Sequence, residues 1–408
     1  MQALVAVLLL LGGAIFNVPV GVLLGTVGIV LESVRQVWRR WGLRGVTYRR
    51  VLARSAVGWG ETIPLSVEVW NRKRLPLAWL RADDSAEDGV IVREAGHLAA
   101  GESSISLRNV WTLAPFERVR REFHVGGSHR GMFELGPVNV AVGDPFGREA
   151  LSVELTTVDW FLVRPRIVPA DPPRVERPDG LHRAAAGLSQ DPSRFAGVRG
   201  YAPGDPLRRI HHRTSARLGR PMVKRFEPSS EREVLLTVDI ETRGFGAFPG
   251  AFHHDEDEVE SLYVVAASLV HALAADHVAV GFAAAGYTAA ARPMVYVPVS
   301  AARDQAERIV DMIARLSPSP SASFPRLLSL VGGAVRPGTT VVVLTGRSLL
   351  PFLRHLRAVR SRASSLSVLA CGPAAVADAA EARSAGFHAS AVRLDGPWRT
   401  ADRLVLVA

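Results

Sequence analysis

The chain has 408 residues, of which 48% are hydrophobic and 22% are charged, and its formal net charge is +10. This length allows two or three domains with cores of their own, and the apolar content excludes an intrinsically disordered chain. The one cysteine, Cys371, excludes an intramolecular disulfide and any multi-cysteine zinc site. The excess of positive charge favours anionic partners, namely acidic proteins, anionic lipid or nucleic acid.

The first element in chain order is an apolar run of 29 residues, Ala3–Leu31, that contains no charged side chain. As one helix it would be about 43 Å long, whereas roughly 20 residues cross the hydrocarbon core of a bilayer. Asn17 and Pro19 lie in its middle, which leaves open a single kinked helix or a short hairpin. Arginines and tryptophans follow directly, so residues 1–34 predict a transmembrane segment in the cell membrane, with the soluble domains facing the cytoplasm.

Residues 35–165 predict a basic juxtamembrane stretch followed by a β-sandwich. The segment Thr62–Trp70 alternates apolar and polar residues, which is the period of a half-buried strand. Short apolar runs separated by Gly, Pro, Asn and Asp follow it, and such spacing is typical of a sandwich or barrel. These runs are Val110–Leu113, Val119–Val125, Val138–Val142 and Trp160–Val163.

Residues 166–193 are rich in Pro, Asp and Arg and predict a linker. Strands alternate with helices in the remainder, residues 194–408, which indicates a parallel sheet covered on both faces. The predicted strands are Val234–Val238, Val278–Ala283, Thr340–Thr345, Leu366–Ala370 and Ala389–Leu394. The predicted helices are Asp255–Ala275, Ala301–Leu316, Phe324–Val335, Leu349–Arg360 and Ala374–Ala385.

No enzyme motif is present. The sequence lacks a P-loop, a His-Glu-x-x-His zinc helix and a Gly-x-Ser-x-Gly elbow. The stretch Gly244–Gly250 resembles a dinucleotide fingerprint but has one residue too many and contains Pro249, so we interpret it as a flexible loop. His253–Glu258 could bind a divalent cation, but an acidic helix start is the simpler interpretation. We therefore expect no enzymatic activity, no catalytic residue and no cofactor.

A strongly basic segment lies between Pro192 and Phe226, where nine basic residues face a single acid, Asp205. Pro203, Gly204 and Asp205 are turn residues, and Arg208 to Arg217 has helical spacing. Arg209, Arg213 and Arg217 recur every four residues, which predicts one helix face. This surface either docks an acidic partner or pairs with acids of its own domain. Nucleic acid is disfavoured because few aromatic residues interleave with the basic ones.

The run from Phe195 to Arg217, which contains Tyr-x-Pro-Gly-Asp-Pro-x-Arg-x-Ile-His, resembles the signature of the family called domain of unknown function 58. The resemblance extends to Arg130–Pro137, Gly143–Gly147 and Val163–Pro165. It implies that the core of the motif is Tyr201, Pro203, Gly204, Asp205, Arg208, Ile210, Ala216 and Arg217. His212 stands where the family often has tryptophan.

The resemblance also implies an α/β domain similar to a von Willebrand factor A domain. Such domains often bind Mg²⁺ through Asp-x-Ser-x-Ser, and here the corresponding residues are Asp239, Glu241 and Arg243. Arg243 would place a cation where the metal should lie, and Gly346 stands where an aspartate is frequent. We therefore expect no tight metal site. Because the family is commonly encoded beside MoxR-type AAA+ ATPases, the resemblance implies such an ATPase as a partner.

The resulting hypothesis is a multi-domain, non-enzymatic membrane scaffold or adaptor of bacterial type, with a transmembrane segment, a β-sandwich and an α/β von Willebrand factor A-like (Rossmann-like) domain. It would dock a protein partner in chaperone-like or envelope-related assembly. The predicted partner-binding residues are Arg199, Tyr201, Gly204, Asp205, Arg208, Arg209, Arg213 and Arg217. The alternative is a divalent-cation-dependent adhesion module that uses Asp239, and a third reading, an undiscovered hydrolase, has no motif behind it.

Overall fold

The chain folds into two compact units, residues 1–164 and 165–408. The first contains a helical hairpin and two β-sheets, and the second contains a two-stranded sheet and a larger α/β sheet. The computed structural model describes residues 2–94, 97–98, 107–171, 190–203, 205–228, 232–242, 255–288 and 293–407.

The apolar N-terminal run forms two helices rather than one, α1 (Gln2–Ile15) and α2 (Pro19–Trp41). Asn17 between them has a positive φ of 52°, a conformation that asparagine tolerates better than most residues. Of the two shapes that the sequence left open, the structure has the hairpin. By length and composition alone α2 qualifies as a membrane span, although its charge-free part ends at Leu31, and its apolar part is almost entirely exposed.

The rest of the first unit is a β-sandwich, as the sequence predicted. Its strands are β1 (Val46–Leu52), β2 (Ala56–Val57), β3 (Ile63–Asn71), β4 (Leu77–Ala86), β5 (Val90–Glu94), β6 (His97–Leu98), β7 (Leu107–Leu113), β8 (Arg118–Gly127), β9 (Gly131–Gly143), β10 (Glu149–Leu155) and β11 (Asp159–Val163). One sheet has the order β1-β3-β8-β5-β6, and the other has the order β2-β11-β9-β4-β7 with β10 paired to β9. Apolar side chains of both sheets, such as Val67 and Leu80, form one buried cluster.

The helix α2 ends directly on the sandwich. Gly42 caps the helix so close to β9 that an added Cβ would lie 2.7 Å from Cγ2 of Val142. Lys73, in the turn after β3, donates from Nζ to the carbonyl oxygen of Gly42 at 2.7 Å. Partial burial lowers the pKa of Lys73 to about 8. The last turn of the helix is therefore held by the body of the sandwich.

A buried arginine links the two sheets of the sandwich. Arg50 of β1 forms ion pairs at 2.9 Å with Asp84 of β4 and at 2.9 Å with Asp159 of β11. It also donates to the carbonyl of Thr157 at 2.5 Å, and the hydroxyl of Tyr48 donates to Asp84. Each nitrogen of this guanidinium thus donates to an acceptor, which offsets the cost of burying its charge.

We expect Arg50→Met to lower the free energy of unfolding of the first unit by about 3–5 kcal/mol, because the buried Asp84 and the partly exposed Asp159 lose their counter-charge. Denaturant titration followed by tryptophan fluorescence reports mainly on this unit, which holds seven of the eight tryptophans. Arg49→Met is the matched control, since Arg49 is exposed on the same strand. Equal effects of the two substitutions would show that the buried network is not a main source of stability.

The second unit is built on a seven-stranded sheet. After β12 (Gln190–Gly200), α3 (His212–Leu218) and β13 (Met222–Pro228), its elements are β14 (Glu233–Asp239), α4 (Glu256–Ala275), β15 (Ala279–Ala284), β16 (Val295–Ser300), α5 (Gln305–Arg315), α6 (Phe324–Ala334), β17 (Thr340–Thr345), α7 (Leu353–Arg360), β18 (Ser365–Cys371), α8 (Ala375–Ser384), β19 (His388–Leu394) and β20 (Leu404–Val407). The order is β16-β15-β14-β17-β18-β19-β20. The five inner strands are parallel, and the two edge strands are antiparallel to their neighbours.

The five strands and five helices predicted between Val234 and Leu394 agree with the structure to within a few residues at their ends. The two edge strands, β16 and β20, were not predicted, because each is short and only partly buried. The helix α4 is also apolar enough to pass as a membrane span, but it is mostly buried as the core helix of the unit.

The segment 165–171, which the sequence assigns to the linker 166–193, lies against the α/β unit. The amide of Val168 donates to the hydroxyl of Ser268 at 3.0 Å, and the amide of Leu404 donates to the carbonyl of Pro169 at 3.0 Å. Arg166 forms an ion pair with Asp402 at 3.3 Å. Residues 172–189 of the predicted linker lie outside the described residues, and residues 190–193 belong to β12.

Candidate functional site

The basic segment forms a two-stranded antiparallel sheet, β12 and β13, whose connection we call the basic loop (residues 201–221). The prediction of one helix from Arg208 to Arg217 is wrong. A 3₁₀ turn, Leu207–Arg209, is followed by an extended Ile210 that pairs with Val223, and only then does α3 begin. The backbone pairing of Ile210 interrupts the helix, so Arg209 does not share a helix face with Arg213 and Arg217.

Two side chains attach α3 to β13. The imidazole Nδ1 of His211 accepts the amide of Thr214 at 3.2 Å and so caps the start of the helix. The hydroxyl of Ser215 donates to the carbonyl of His211 at 3.0 Å and accepts the amide of Met222 at 2.8 Å. Ser215 thereby joins the helix to the strand, and Gly219 ends the helix in the left-handed conformation.

Two of the predicted partner-binding residues pair with each other instead. The carboxylate of Asp205 accepts a hydrogen bond from each terminal nitrogen of Arg199 at 2.7 Å, and its Oδ2 also accepts one from the amide of Ala202 at 2.9 Å. These hydrogen bonds, from Arg199 first, lower the pKa of Asp205, and the charge of the half-buried Arg209 adds to the effect. Arg199 and Asp205 therefore shape the loop. Gly204 lies outside the described residues.

The remaining arginines of the basic loop are directed to solvent. Arg208, Arg213, Arg217 and Arg220 are exposed, and none of them has an ion-pair partner among the residues that the structure describes. Large apolar side chains are exposed on the same loop, with Leu207 at 70%, Leu218 at 50% and Tyr201 at 36%. Unpaired guanidinium groups beside exposed apolar side chains are typical of a protein interface that binds carboxylates.

A second cluster lies at the carboxyl end of the α/β sheet. Asp239 ends β14, and the guanidinium of Arg347 donates to its two oxygens at 2.9 and 3.3 Å. Nη1 of Arg347 also forms an ion pair with Glu241 at 2.8 Å, and the amide of Phe324 donates to Glu241 at 3.3 Å. Arg347 further lies 4.9 Å from the ring centre of Phe352.

Arg243, predicted as the cation beside Asp239, lies outside the described residues. Arg347 was not predicted, although the sequence contains a signal for it. Asp239 and Thr345 are paired residues of the neighbouring strands β14 and β17, and Arg347 follows Thr345 by two positions. The parallel register therefore brings the residues after Thr345 next to the residues after Asp239.

Burial dominates the electrostatics of this cluster. Desolvation raises the pKa of Asp239 to about 6, and the charge of Arg347 opposes this rise without cancelling it. Desolvation by itself would lower the pKa of Arg347, but the negative charges and hydrogen bonds of Asp239 and Glu241 outweigh it, so the pKa of Arg347 is raised. Because one guanidinium contacts both carboxylates, these residues do not fit the divalent cation that a von Willebrand factor A-like domain implies.

We expect Arg347→Met to lower the free energy of unfolding of the second unit by about 3–5 kcal/mol, since two carboxylates then lose their shared counter-charge. Adding Asp239→Asn should recover part of this loss. Proteolysis in increasing denaturant, with peptides of each unit quantified by mass spectrometry, measures the two units separately.

Calorimetric titration of the same variants with Mg²⁺ tests the alternative function. We expect no binding to the wild-type chain, because Arg347 contacts the carboxylates that the ion needs. Binding to the wild type that disappears in Asp239→Asn would contradict this assignment and support the cation-dependent module.

The pH dependence of stability also follows from Asp239. Its pKa is raised from 3.8 to about 6, so between these values the folded chain binds more protons than the unfolded chain. The free energy of unfolding contributed by this group therefore falls as pH rises through that window. We expect the stability of wild type relative to Asp239→Asn to decrease across it, measured by denaturant titration at a series of pH values. A difference that rises with pH, or stays flat, would contradict the assignment.

The chain thus combines an apolar helical hairpin, a β-sandwich and an α/β unit that carries a basic two-stranded sheet. Residues 197–382, less than half of the chain, match the family model described as "Protein of unknown function DUF58". A relative from Bacillus subtilis (strain 168), "Uncharacterized protein YeaD", is 24% identical over 247 residues. This match spans 60% of the present chain and only 57% of that protein.

Solved structures resemble parts of the chain at low identity. The CARDB domain of the PF1109 protein from Pyrococcus furiosus is 20% identical and covers 29% of this chain and 89% of its own, with a TM-score of 0.18. Spo0M, a sporulation control protein from Bacillus subtilis, is 16% identical and covers 29% of this chain and 49% of its own, with a TM-score of 0.19. Such scores support no conclusion about function.

Proposed function

We propose that the protein is a non-enzymatic, membrane-attached adaptor whose basic loop docks an acidic protein partner. Four exposed arginines without an ion-pair partner in the described part of the chain carry this proposal: Arg208, Arg213, Arg217 and Arg220. Each can bind a carboxylate through two parallel hydrogen bonds, and Leu207 and Leu218 add apolar contact area. Tyr201 lies on the same loop and offers an aromatic contact.

Charge favours a protein as the acidic partner. The segment between Pro192 and Phe226 has nine basic residues and one acid, and so contributes +8 of the net charge of +10. Such a surface accelerates association with an acidic partner and makes the affinity fall with salt. Its exposed aromatic residues are too few for base stacking, which argues against nucleic acid.

We further propose a MoxR-type AAA+ ATPase as the partner, on the strength of the resemblance carried by Phe195 to Arg217. The α/β unit would be a von Willebrand factor A-like domain, and its five parallel strands with helices after most of them support that assignment. The arginines at the end of α2 support a cytoplasmic location for both units. The role would be scaffolding in chaperone-like or envelope-related assembly.

Affinity capture from native membranes tests the docking surface. We expect the double substitution Arg213→Glu and Arg217→Glu to reduce recovery of the ATPase at least about tenfold, since two attractions become repulsions. The matched control is Arg354→Glu with Arg357→Glu, which reverses two exposed charges on α7 of the same unit. Raising the salt concentration should weaken recovery by the wild type.

A third variant separates docking from loop structure. Asp205→Ala removes the acceptor of Arg199 and of the Ala202 amide, so it should weaken capture and speed up hydrogen exchange of that amide. The Arg213/Arg217 variant should leave this exchange unchanged. Recovery of the ATPase by that variant at wild-type levels, or its absence with wild type at every salt and nucleotide condition, would overturn the proposal.

A further inference from the structure

The two arms of the N-terminal hairpin are packed in a fixed antiparallel register. A Cβ added to Gly13 would lie 2.7 Å from the carbonyl carbon of Gly21, and one added to Gly25 would lie 2.4 Å from the amide nitrogen of Leu10. One added to Gly28 would lie 2.8 Å from Cβ of Ala6. These glycines therefore lie at the contact between the two helices, where no side chain larger than a hydrogen atom fits.

When the same pairing of the two helices is continued to the end of the hairpin away from the turn, Gln2 lies opposite Glu32. Gln2 is the first polar residue of α1, and Glu32 is the first charged residue of α2 after its apolar start at Pro19. The polar boundary thus falls at one level on both arms. On α2, the residues beyond that level include Arg35, Arg39 and Arg40.

Between this boundary and the turn, the outside of the hairpin is apolar on both arms except for Thr26, whose hydroxyl donates to the carbonyl of Val22 at 2.8 Å. No charged residue lies there, and the turn consists of Phe16, Asn17 and Val18. The turn amides of Phe16 and Val18 are satisfied by the carbonyls of Gly12 and Gly13 at 2.9 and 2.8 Å. The exposed apolar side chains include Leu4, Leu8, Leu11, Ile15, Val20, Leu23, Leu24, Val27, Val30 and Leu31.

The length of the apolar part decides how far it can reach. From Pro19 to Leu31 there are 13 residues, which rise about 20 Å, and α1 with 14 residues rises about 21 Å. The hydrocarbon core of a bilayer is about 30 Å thick, so this hairpin covers roughly two thirds of it. Tilting the hairpin only shortens its reach, and crossing would require pulling Glu32 and Arg35 into the core.

We propose that the hairpin is a re-entrant anchor that enters the bilayer from one side, lies among lipid acyl chains and turns before it reaches the opposite headgroups. The proposal rests on the membrane attachment proposed above. Both ends of the hairpin then lie on the side of the β-sandwich. Arg35 then lies at the headgroup level, where guanidinium groups meet lipid phosphate, and Trp38, Arg39, Arg40, Trp41 and Arg44 follow it toward the sandwich.

Depth-dependent quenching tests this placement. A fluorophore is attached to Asn17→Cys at the turn, or to Ser33→Cys at the polar boundary as the matched control. Wild type serves as the blank, because Cys371 is buried and burial raises its pKa to about 12. In phosphatidylcholine–phosphatidylglycerol vesicles, the turn should be quenched severalfold more by a nitroxide near the end of the acyl chain than by one near the headgroup, and position 33 should show the reverse.

Modification by a membrane-impermeant maleimide separates re-entry from crossing. On intact spheroplasts we expect Asn17→Cys to remain unmodified, as should Ser33→Cys. Lengthening each arm by about seven leucine and alanine residues adds about 10 Å, and the turn should then become modifiable from outside. Modification of Asn17→Cys at its natural length would overturn the re-entrant anchor.

Flotation with vesicles distinguishes an error in the re-entrant placement from an error in the proposed membrane attachment. If wild type does not float, membrane attachment itself is wrong. If it floats while the turn is quenched by neither nitroxide, protein covers the hairpin, for example a second copy of this chain, and the re-entrant anchor is wrong while attachment stands.

Discussion

Two short polar side chains, Asp205 and Ser215, hold the basic loop together by hydrogen bonds to the backbone of the loop and of the strand that follows it. Asp205 holds the turn before the 3₁₀ segment, and Ser215 joins α3 to β13. Because these contacts use only Arg199 of the basic set, the arginines of α3 are not needed to hold the loop together. The docking surface that we propose depends on this division, since an arginine committed to an internal acid would not be available to a partner.

Elsewhere in the protein, arginine side chains have a structural role. Arginine supplies 47 of the 49 basic residues. Arg50 and Arg347 are buried or nearly so, and each is shared between two carboxylates. A planar group with five donors can satisfy several acceptors at once, which a lysine ammonium does less well. Burial with pairing makes these two arginines structural. Arg208, Arg213, Arg217 and Arg220 are exposed and have no ion-pair partner in the described part of the chain, and the docking that we propose uses them.

The sequence was sufficient to predict the elements whose patterns are local. The alternation in β3 and the apolar runs of β14 and β17 follow directly from burial on one or both faces of a sheet. Contacts between distant segments were harder to predict. Arg347 reaches Asp239 only because β14 and β17 are neighbours, and Ile210 leaves the helix only because Val223 offers it a backbone partner. Periodicity contains no information about such pairings.

The contact between Gly42 and the sandwich has a mechanical consequence. A glycine against Val142 and a lysine amine on the carbonyl of that glycine fasten the end of α2 to the sandwich, and only residues 42–45 separate α2 from β1. The hairpin and the sandwich are therefore mechanically coupled. If the hairpin is anchored in lipid as we propose, a force on the sandwich reaches the hairpin as a torque, and the surrounding lipid would resist rotation of the sandwich as well as its removal.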